Sequence, residues 1–154
     1  MTPKKLFIFF AIAEAFTWSL LIGVLILRIF FDVSPGLVTA IGGTHGAIFL
    51  GYGTTAALVG VNQRWRFRRI ILGIVLAIVP YATIPFERST VQKELVEGAW
   101  RTARTADPRD NHWFDRLFRW FIARPAFLIV VLLATVSAIF ATLVSLGPPT
   151  DWGN

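Results

Sequence analysis

The side chains that could do chemistry in this chain lie mostly in apolar surroundings. Glu14 stands near the middle of an apolar run, Leu6 to Leu27, and His45 and Tyr52 lie seven residues apart in the next run, hence on one helix face. A carboxyl group within hydrocarbon costs at least about 2.5 kcal/mol, so it usually has a partner or a task. We expect Glu14, His45 and Tyr52 to form an intramembrane polar cluster, joined by Tyr81 from the third apolar run.

Two interpretations of this cluster stay open. In the first, the cluster is a site that handles a proton or coordinates a ligand, because histidine titrates near neutral pH. In the second, it is a set of hydrogen bonds that fixes the register of two helices. Other chemistry has less support, because the chain has no cysteine and its two histidines, His45 and His112, lie in different segments. The sequence therefore predicts no catalytic residues, no metal, no cofactor and no enzyme.

Composition and apolar runs indicate an all-α integral membrane protein. The chain is 55% hydrophobic and 16% charged, whereas a soluble domain carries about 25% charge. The first run has 22 residues and covers roughly 33 Å as a helix, enough to cross a bilayer core of about 30 Å. We predict four membrane helices, near residues 6–27, 37–60, 70–86 and 126–146. Residues 1–88 then form a three-helix core, and residues 89–154 add an interfacial segment and the fourth helix.

The third run allows two topologies. It has only 17 residues and contains Pro80 and Pro85, which bend or end a helix. We expect this run to span the membrane, which places the basic segment 87–124 outside the cell and conflicts with the positive-inside rule. A re-entrant segment would remove this conflict, because residues 62–124 would then all be cytoplasmic. Lys4 and Lys5 favour a cytoplasmic N-terminus and a multi-pass protein of the cell membrane.

Small residues recur every fourth position in the first two runs. This spacing lets helix backbones approach closely in a membrane, so we expect the first two helices to pack through these residues. The residues are Ala11, Ala15, Ser19 and Gly23 in the first run, and Gly43, Ala47 and Gly51 in the second.

The polar segment 87–124 contains two helix signals. Ser89 and Gln92 have capping-box spacing, which predicts a helix that continues through Val91, Leu95, Ala99 and Ala103. After a turn at 107–110, an aromatic stripe from Trp113 predicts a helix that lies on the bilayer surface, or else a docking surface for a partner subunit. The residues expected at lipid headgroups are Arg64, Arg66, Arg68, Arg69, Trp113, Phe114, Arg116, Phe118 and Arg119.

The net charge of +6 does not indicate nucleic acid, because the basic residues lie in short blocks beside the apolar runs. The expected partners are the lipid bilayer and other membrane subunits, with a bound lipid as a further candidate.

Four short motifs resemble the YdzA-type family of small integral membrane proteins. They are Glu14, Thr44-His45-Gly46, the basic link 63–69 and Ile84-Pro85-Phe86, and the resemblance covers residues 5–88. It implies a three-helix core described only as a domain of unknown function, with no catalytic role to transfer. The fourth helix would be a C-terminal extension of this core.

The function expected from these features is that of a non-catalytic accessory subunit of a larger bacterial membrane complex, with a respiratory-chain assembly as one host. The alternative is a small proton-coupled carrier or channel that uses Glu14 and His45.

Overall fold

The computed structural model describes residues 1–145, and every regular element within them is helical. The α-helices in this part of the chain are α1 Pro3–Phe30, α2 Pro35–Asn62, α3 Phe67–Val75, α4 Thr83–Gln92, α5 Trp113–Ile122 and α6 Pro125–Ser145. The chain divides into two compact units, Met1–Trp100 and Arg101–Asn154. The expected all-α class is confirmed for the described residues.

Helices α1 and α2 form a long antiparallel hairpin. Each has 28 residues and is therefore about 42 Å long. Both begin with a hydroxyl cap followed by proline: the side chains of Thr2 and Ser34 accept hydrogen bonds from the backbone N–H groups of Lys5 and Leu37. These caps satisfy N–H groups that a helix leaves free at its start, so each helix begins at a defined residue.

The third apolar run is not one helix, which corrects the span expected over 70–86. Helix α3 ends at Val75, a 3-10 turn covers Leu76–Ile78, and the chain reverses at Tyr81, whose φ of 63° lies in the left-handed region. Pro80 lies in this reversal, where its missing N–H interrupts no helix. Pro85 is tolerated because it falls in the first turn of α4.

Helices α3 and α4 form a hairpin that returns to the end of the unit where it began. Along α3, Ile70 lies against Gly60 near the end of α2, and Gly73 lies beside Ala56. Along α4, the Thr83 hydroxyl donates to the Ala11 carbonyl at 3.4 Å. Helix α3 therefore runs back along α2, and α4 runs back along α1.

The segment after α4 closes this end of the unit. Lys93 follows the last turn of α4, so the helix expected to continue through Ala103 is wrong. Residues 93–100 instead form an irregular strap, in which Val96 is fully buried. The indole of Trp65 donates to the Leu95 carbonyl at 2.7 Å, and that of Trp100 donates to the Met1 carbonyl at 2.9 Å. The aromatic core of the unit lies beneath this strap.

By length and composition, α1 is long and apolar enough to cross a membrane on its own. Helix α5 and the first part of α6 meet the same criterion only as a pair, and the pair is bent by 101°. The four predicted spans are thus reduced to one clear candidate, or two with the bent pair, among the described residues.

The second unit begins with a loop that leads into a 3-10 turn at Pro108–Asn111, where the sequence predicted a turn. Helix α5 follows and carries the aromatic stripe, and α6 covers most of the fourth run. Residue 146, the last of that run, lies outside the described residues.

Candidate functional site

The centre of the candidate site is the carboxyl group of Glu14. Phe7, Ala11 and Glu14 recur at helical spacing on one face of α1, and each is 0% exposed. Neither carboxyl oxygen of Glu14 makes a hydrogen bond within the described residues. A buried polar group without a partner costs about 1–3 kcal/mol, so this position carries a polar group at the expense of stability.

Tyr52 on α2 is in the same situation. Its side chain is 0% exposed, and its hydroxyl makes no hydrogen bond within the described residues. The ring packs against Phe7 with 5.9 Å between the centroids. The Glu14–Tyr52–His45 cluster therefore has no hydrogen bond between Glu14 and Tyr52.

His45 is held by α1, although by a residue other than Glu14. The Thr17 hydroxyl lies 3.1 Å from Nδ1 of His45, and the same hydroxyl donates to the Glu14 backbone carbonyl, also at 3.1 Å. The direction of this hydrogen bond follows the imidazole tautomer: a ring protonated at Nδ1 donates to Thr17, and a ring protonated at Nε2 accepts from it. The Trp18 ring covers the imidazole with 4.5 Å between the centroids.

The register of the hairpin explains why the three residues separate. Gly51 lies against Phe10, and His45 lies against Thr17. Counting from these contacts, Glu14 lies between the other two, with Tyr52 about 7 Å towards the start of α1 and His45 about 4 Å towards its end. The sequence placed Glu14 and Tyr52 at one depth, but α2 continues about one turn past the level where α1 begins.

Tyr81 lies at the tip of the α3–α4 hairpin. Its side chain is 46% exposed, and its hydroxyl lies 3.2 Å from the Ser19 hydroxyl on α1. The indole of Trp18 donates to the Ala77 carbonyl in the same turn, at 3.2 Å. Tyr81 therefore joins Ser19 rather than Glu14 or His45, and Ser19 has a hydrogen-bonding role beyond its small size.

Only some of the small residues expected between α1 and α2 lie in the interface of the two helices. Ala11 is fully buried, and a Cβ at Gly51 would overlap the Phe10 ring. In contrast, a Cβ at Gly23 or Gly43 would meet no atom within 4 Å. The first two belong to the interface and the last two lie outside it. Ala15 is half-buried, and Ala47 is exposed.

The basic link between α2 and α3 is also divided. Arg69 turns inward: its guanidinium lies 5.6 Å from the Trp65 ring centre and 5.3 Å from that of Phe86, and it donates to the Thr90 hydroxyl at 2.8 Å. Arg66 and Arg68 are exposed, as a headgroup contact requires. Arg64 is half-buried, with a φ of 55°.

The residues of α5 that were expected at lipid headgroups fall on two faces. Trp113, Phe114 and Arg116 are exposed, whereas Phe118 and Arg119 are each 8% exposed and point inward. Phe118 and Arg119 are therefore corrected to the buried face. Within the described part of the chain, no group of three His, Cys, Asp or Glu side chains is placed to hold a metal ion.

The described residues define an all-helical protein in which α1 is long and apolar enough to cross a membrane and carries a buried carboxyl group. The chain belongs to the family described as a domain of unknown function (DUF3817), whose pattern matches residues 4–92. The match shows a domain of unknown function over a range close to residues 5–88, and its description names no activity; it does not show the YdzA-type label.

One curated relative is similar to part of this chain. It is the Streptomyces coelicolor protein named "Putative membrane protein SCO5905", with 33% identity over 84 residues. The match covers 54% of this chain and 10% of that protein, so the relative is a much longer protein. No solved structure matches.

Proposed function

We propose that this protein is a non-catalytic accessory subunit that docks on a larger protein of the cell membrane. In this proposal it is multi-pass, and its N-terminus is cytoplasmic. The observation that carries the proposal is the Ser19–Tyr81 hydroxyl pair, which lies exposed about halfway along the apolar helix α1. Ser19 donates to the Ala15 carbonyl at 3.1 Å and pairs with Tyr81, but both hydroxyl oxygens keep the capacity to accept a further hydrogen bond, which a polar group on another membrane helix would supply.

The surroundings of this pair fit a docking notch. The α3–α4 hairpin reaches only to Trp18 and Ser19. Beyond that level, α1 and α2 have no third helix of this unit beside them, and large apolar side chains are exposed on both. These side chains are Leu25, Ile26, Leu27, Ile29, Phe30 and Leu37. A partner helix that lies above the hairpin tip would cover both the hydroxyl pair and the apolar surface.

The curated relative supports the same proposal. In that protein the matching stretch is a tenth of a longer chain that carries the name of a membrane protein. In the relative, the matching segment is covalently joined to a large protein. This fits a protein that binds a large partner non-covalently through the same segment. A respiratory-chain assembly is the host that we would examine first.

The test is co-purification after mild detergent extraction. We expect the tagged protein to migrate with a large complex in native gels, with its partners identified by mass spectrometry. Ser19→Ala combined with Tyr81→Phe removes both hydroxyls and should weaken co-migration. Thr44→Ala is the matched control, because Thr44, like Ser19, is exposed and donates to a carbonyl of its own helix, at Ala40 2.8 Å away, but it lies outside the Ser19–Tyr81 pair. Migration of the unaltered protein as a lone monomer or dimer would overturn the proposal.

A second candidate function is proton-coupled transport, and the unpartnered Glu14 carboxyl favours it. A buried carboxyl without fixed partners can take up and release a proton when a path to water opens. In liposomes, this function predicts flux that depends on pH and is lost in Glu14→Gln. Glu94→Gln is the control, because Glu94 is exposed at the end of the unit. Flux that Glu14→Gln leaves unchanged would exclude it.

A further inference from the structure

Two acidic side chains, Asp110 of the preceding 3-10 turn and Asp115 of α5, form ion pairs on the inward side of α5. Asp110 is 1% exposed. It accepts hydrogen bonds from the backbone N–H and the hydroxyl of Thr105, both at 2.7 Å, and its carboxylate lies 3.2 Å from Arg119 and 3.4 Å from Arg101. Asp115 forms an ion pair with Arg101 at 2.9 Å. Both carboxylates near the helix are therefore neutralised on its inner side.

The outward face of α5 has the opposite character. Trp113, Leu117 and Trp120 are 73%, 46% and 41% exposed, and they recur at positions three or four residues apart, so they form one face. Arg116 lies at its edge. In a protein surrounded by water, this apolar stripe would be expected to face the core. Its exposure beside a buried ion-pair network indicates that the outer face meets a surface other than water.

The charge on this face is positive. Arg116 forms no ion pair with the described residues, and Arg124 stacks over the Trp120 ring at 4.5 Å while donating to the Trp120 carbonyl. Arginine beside tryptophan suits the boundary between phosphate and acyl chains, because the cation binds phosphate while the indole remains at the interface. The carboxylates of Asp110 and Asp115 already form ion pairs with Arg101 and Arg119. The guanidinium groups of Arg116 and Arg124 are therefore available to an external anion.

The angle at the end of α5 sets its direction relative to a bilayer. Helix α6 carries no charged residue and begins at Pro125, and it is bent from α5 by 101°. Phe127 at the start of α6 packs against Trp120 with 5.2 Å between the ring centroids, which stabilises the bend. If α6 enters the hydrocarbon along the membrane normal, α5 lies flat on the surface.

We propose that the face of Trp113, Arg116, Leu117, Trp120 and Arg124 binds the surface of an anionic phospholipid bilayer. The three apolar side chains insert among the headgroups, and the two arginines contact lipid phosphate. This inference does not depend on what the first unit binds. An acidic partner protein is the alternative occupant, and the test below distinguishes it, since only lipid is present.

The test uses the absence of cysteine from the chain. Leu117→Cys in the full-length protein gives a single reactive thiol, and Trp113→Cys gives a second reporter if the first variant does not fold. The protein is placed in nanodiscs of phosphatidylcholine, or of phosphatidylcholine mixed with phosphatidylglycerol, and the rate of reaction with an uncharged, water-soluble maleimide is measured, because a charged reagent would itself be attracted or repelled by the anionic discs. We expect slower labelling in the anionic discs, by about fivefold for each arginine that contacts lipid. High salt should reduce the difference.

Arginine variants show whether the effect belongs to this face. Arg116→Gln or Arg124→Gln, each in the reporter background, should remove most of its share of the protection. Arg109→Gln is the matched control, because Arg109 is exposed but its guanidinium donates to both carboxylate oxygens of Asp107, which raises the pKa of the guanidinium. Equal labelling in the two kinds of disc, or an Arg109→Gln effect as large as that of Arg116→Gln, would overturn the proposal.

Discussion

Nδ1 of His45 on α2 lies 3.1 Å from the Thr17 hydroxyl on α1, and this contact is the side-chain hydrogen bond that links the two long helices at the candidate site. The hydroxyl is at the same time a donor to the Glu14 backbone carbonyl, so the backbone next to the unpartnered carboxyl is tied to the imidazole. The hydrogen bond between the helices that was considered for Glu14 is thus formed by Thr17, about one turn further along α1. The Glu14 side chain takes no part in it.

Loss of the Thr17 hydroxyl should therefore destabilise the hairpin. Thr17→Val keeps the shape of the side chain but leaves Nδ1 of His45 unpaired, and we expect the free energy of unfolding to fall by about 1 kcal/mol, within the range for hydrogen bonds between membrane helices. Thr17→Ser retains the hydroxyl and should stay close to the unaltered protein. Denaturant titration in detergent measures both. Equal losses in the two variants would mean that the methyl group, and not the hydroxyl, matters.

Replacement of Glu14 should have the opposite sign. Because its carboxyl is buried without a partner, Glu14→Leu is expected to raise the free energy of unfolding of the purified protein by about 1–3 kcal/mol. Glu14→Gln should gain less, since an amide in the same place is also unpaired. Thermal unfolding in detergent is the measurement. A clear loss of stability in Glu14→Leu would show that the carboxyl has a stabilising contact.

Two glycines of α2 should respond differently to the same change. At Gly51 an added methyl group meets the Phe10 ring, so displacement of the ring should cost about 1–3 kcal/mol, of which the better helix propensity of alanine offsets about 1 kcal/mol. At Gly43 the space is open, and alanine is the better helix former by about 1 kcal/mol, so Gly43→Ala should be neutral or stabilising. Comparison of the two unfolding curves tests the register directly. A loss in Gly43→Ala as large as that in Gly51→Ala would argue for a different helix pairing.

The sequence was sufficient for the elements that rest on long periodic signals. The long apolar runs near 6–27 and 37–60 predict α1 and α2, and the aromatic stripe predicts α5. The third run was ambiguous, since Pro80 and Pro85 are compatible with a kinked span and with a hairpin. The choice between them depends on contacts such as that between Gly73 and Phe86, which join residues distant in sequence.

The site was predicted less well than the fold, for a geometric reason. Glu14, His45 and Tyr52 are buried residues of the two long helices, and their common role as an intramembrane polar cluster stays a prediction. Their partners depend on how far α2 slides along α1, and a shift of one turn exchanges Glu14 for Thr17 opposite His45. Likewise, the sequence assigned Phe118 and Arg119 to lipid headgroups. It could not show that Arg119 points inward, because its ion-pair partner Asp110 lies in the preceding 3-10 turn and not in α5.

The α3–α4 hairpin makes a prediction about sidedness. Its first and last residues lie at the same end of the unit, so Arg68→Cys and Lys93→Cys should react with a membrane-impermeant maleimide from one side of the membrane. Asp32→Cys, in the turn between α1 and α2, should react from the other side. All three positions are exposed, and the unaltered chain has no cysteine to interfere. Labelling of Lys93→Cys from the side opposite to Arg68→Cys would establish a full third span.

Asp110 should be the most sensitive residue of the second unit. Asp110→Asn removes the charge that pairs with Arg101 and Arg119 while Arg119 stays buried, and breaking a buried pair in this way costs about 3–5 kcal/mol. Asp115→Asn is the graded control: its side chain is 19% exposed and lies within ion-pair distance of Arg101 at 2.9 Å. Limited proteolysis of the loop at 101–112 measures local opening, and it should increase strongly in Asp110→Asn and weakly in Asp115→Asn. Equal proteolysis in the two variants would show that the orientation of α5 does not depend on Asp110, and the outward position of its tryptophans would then need another cause.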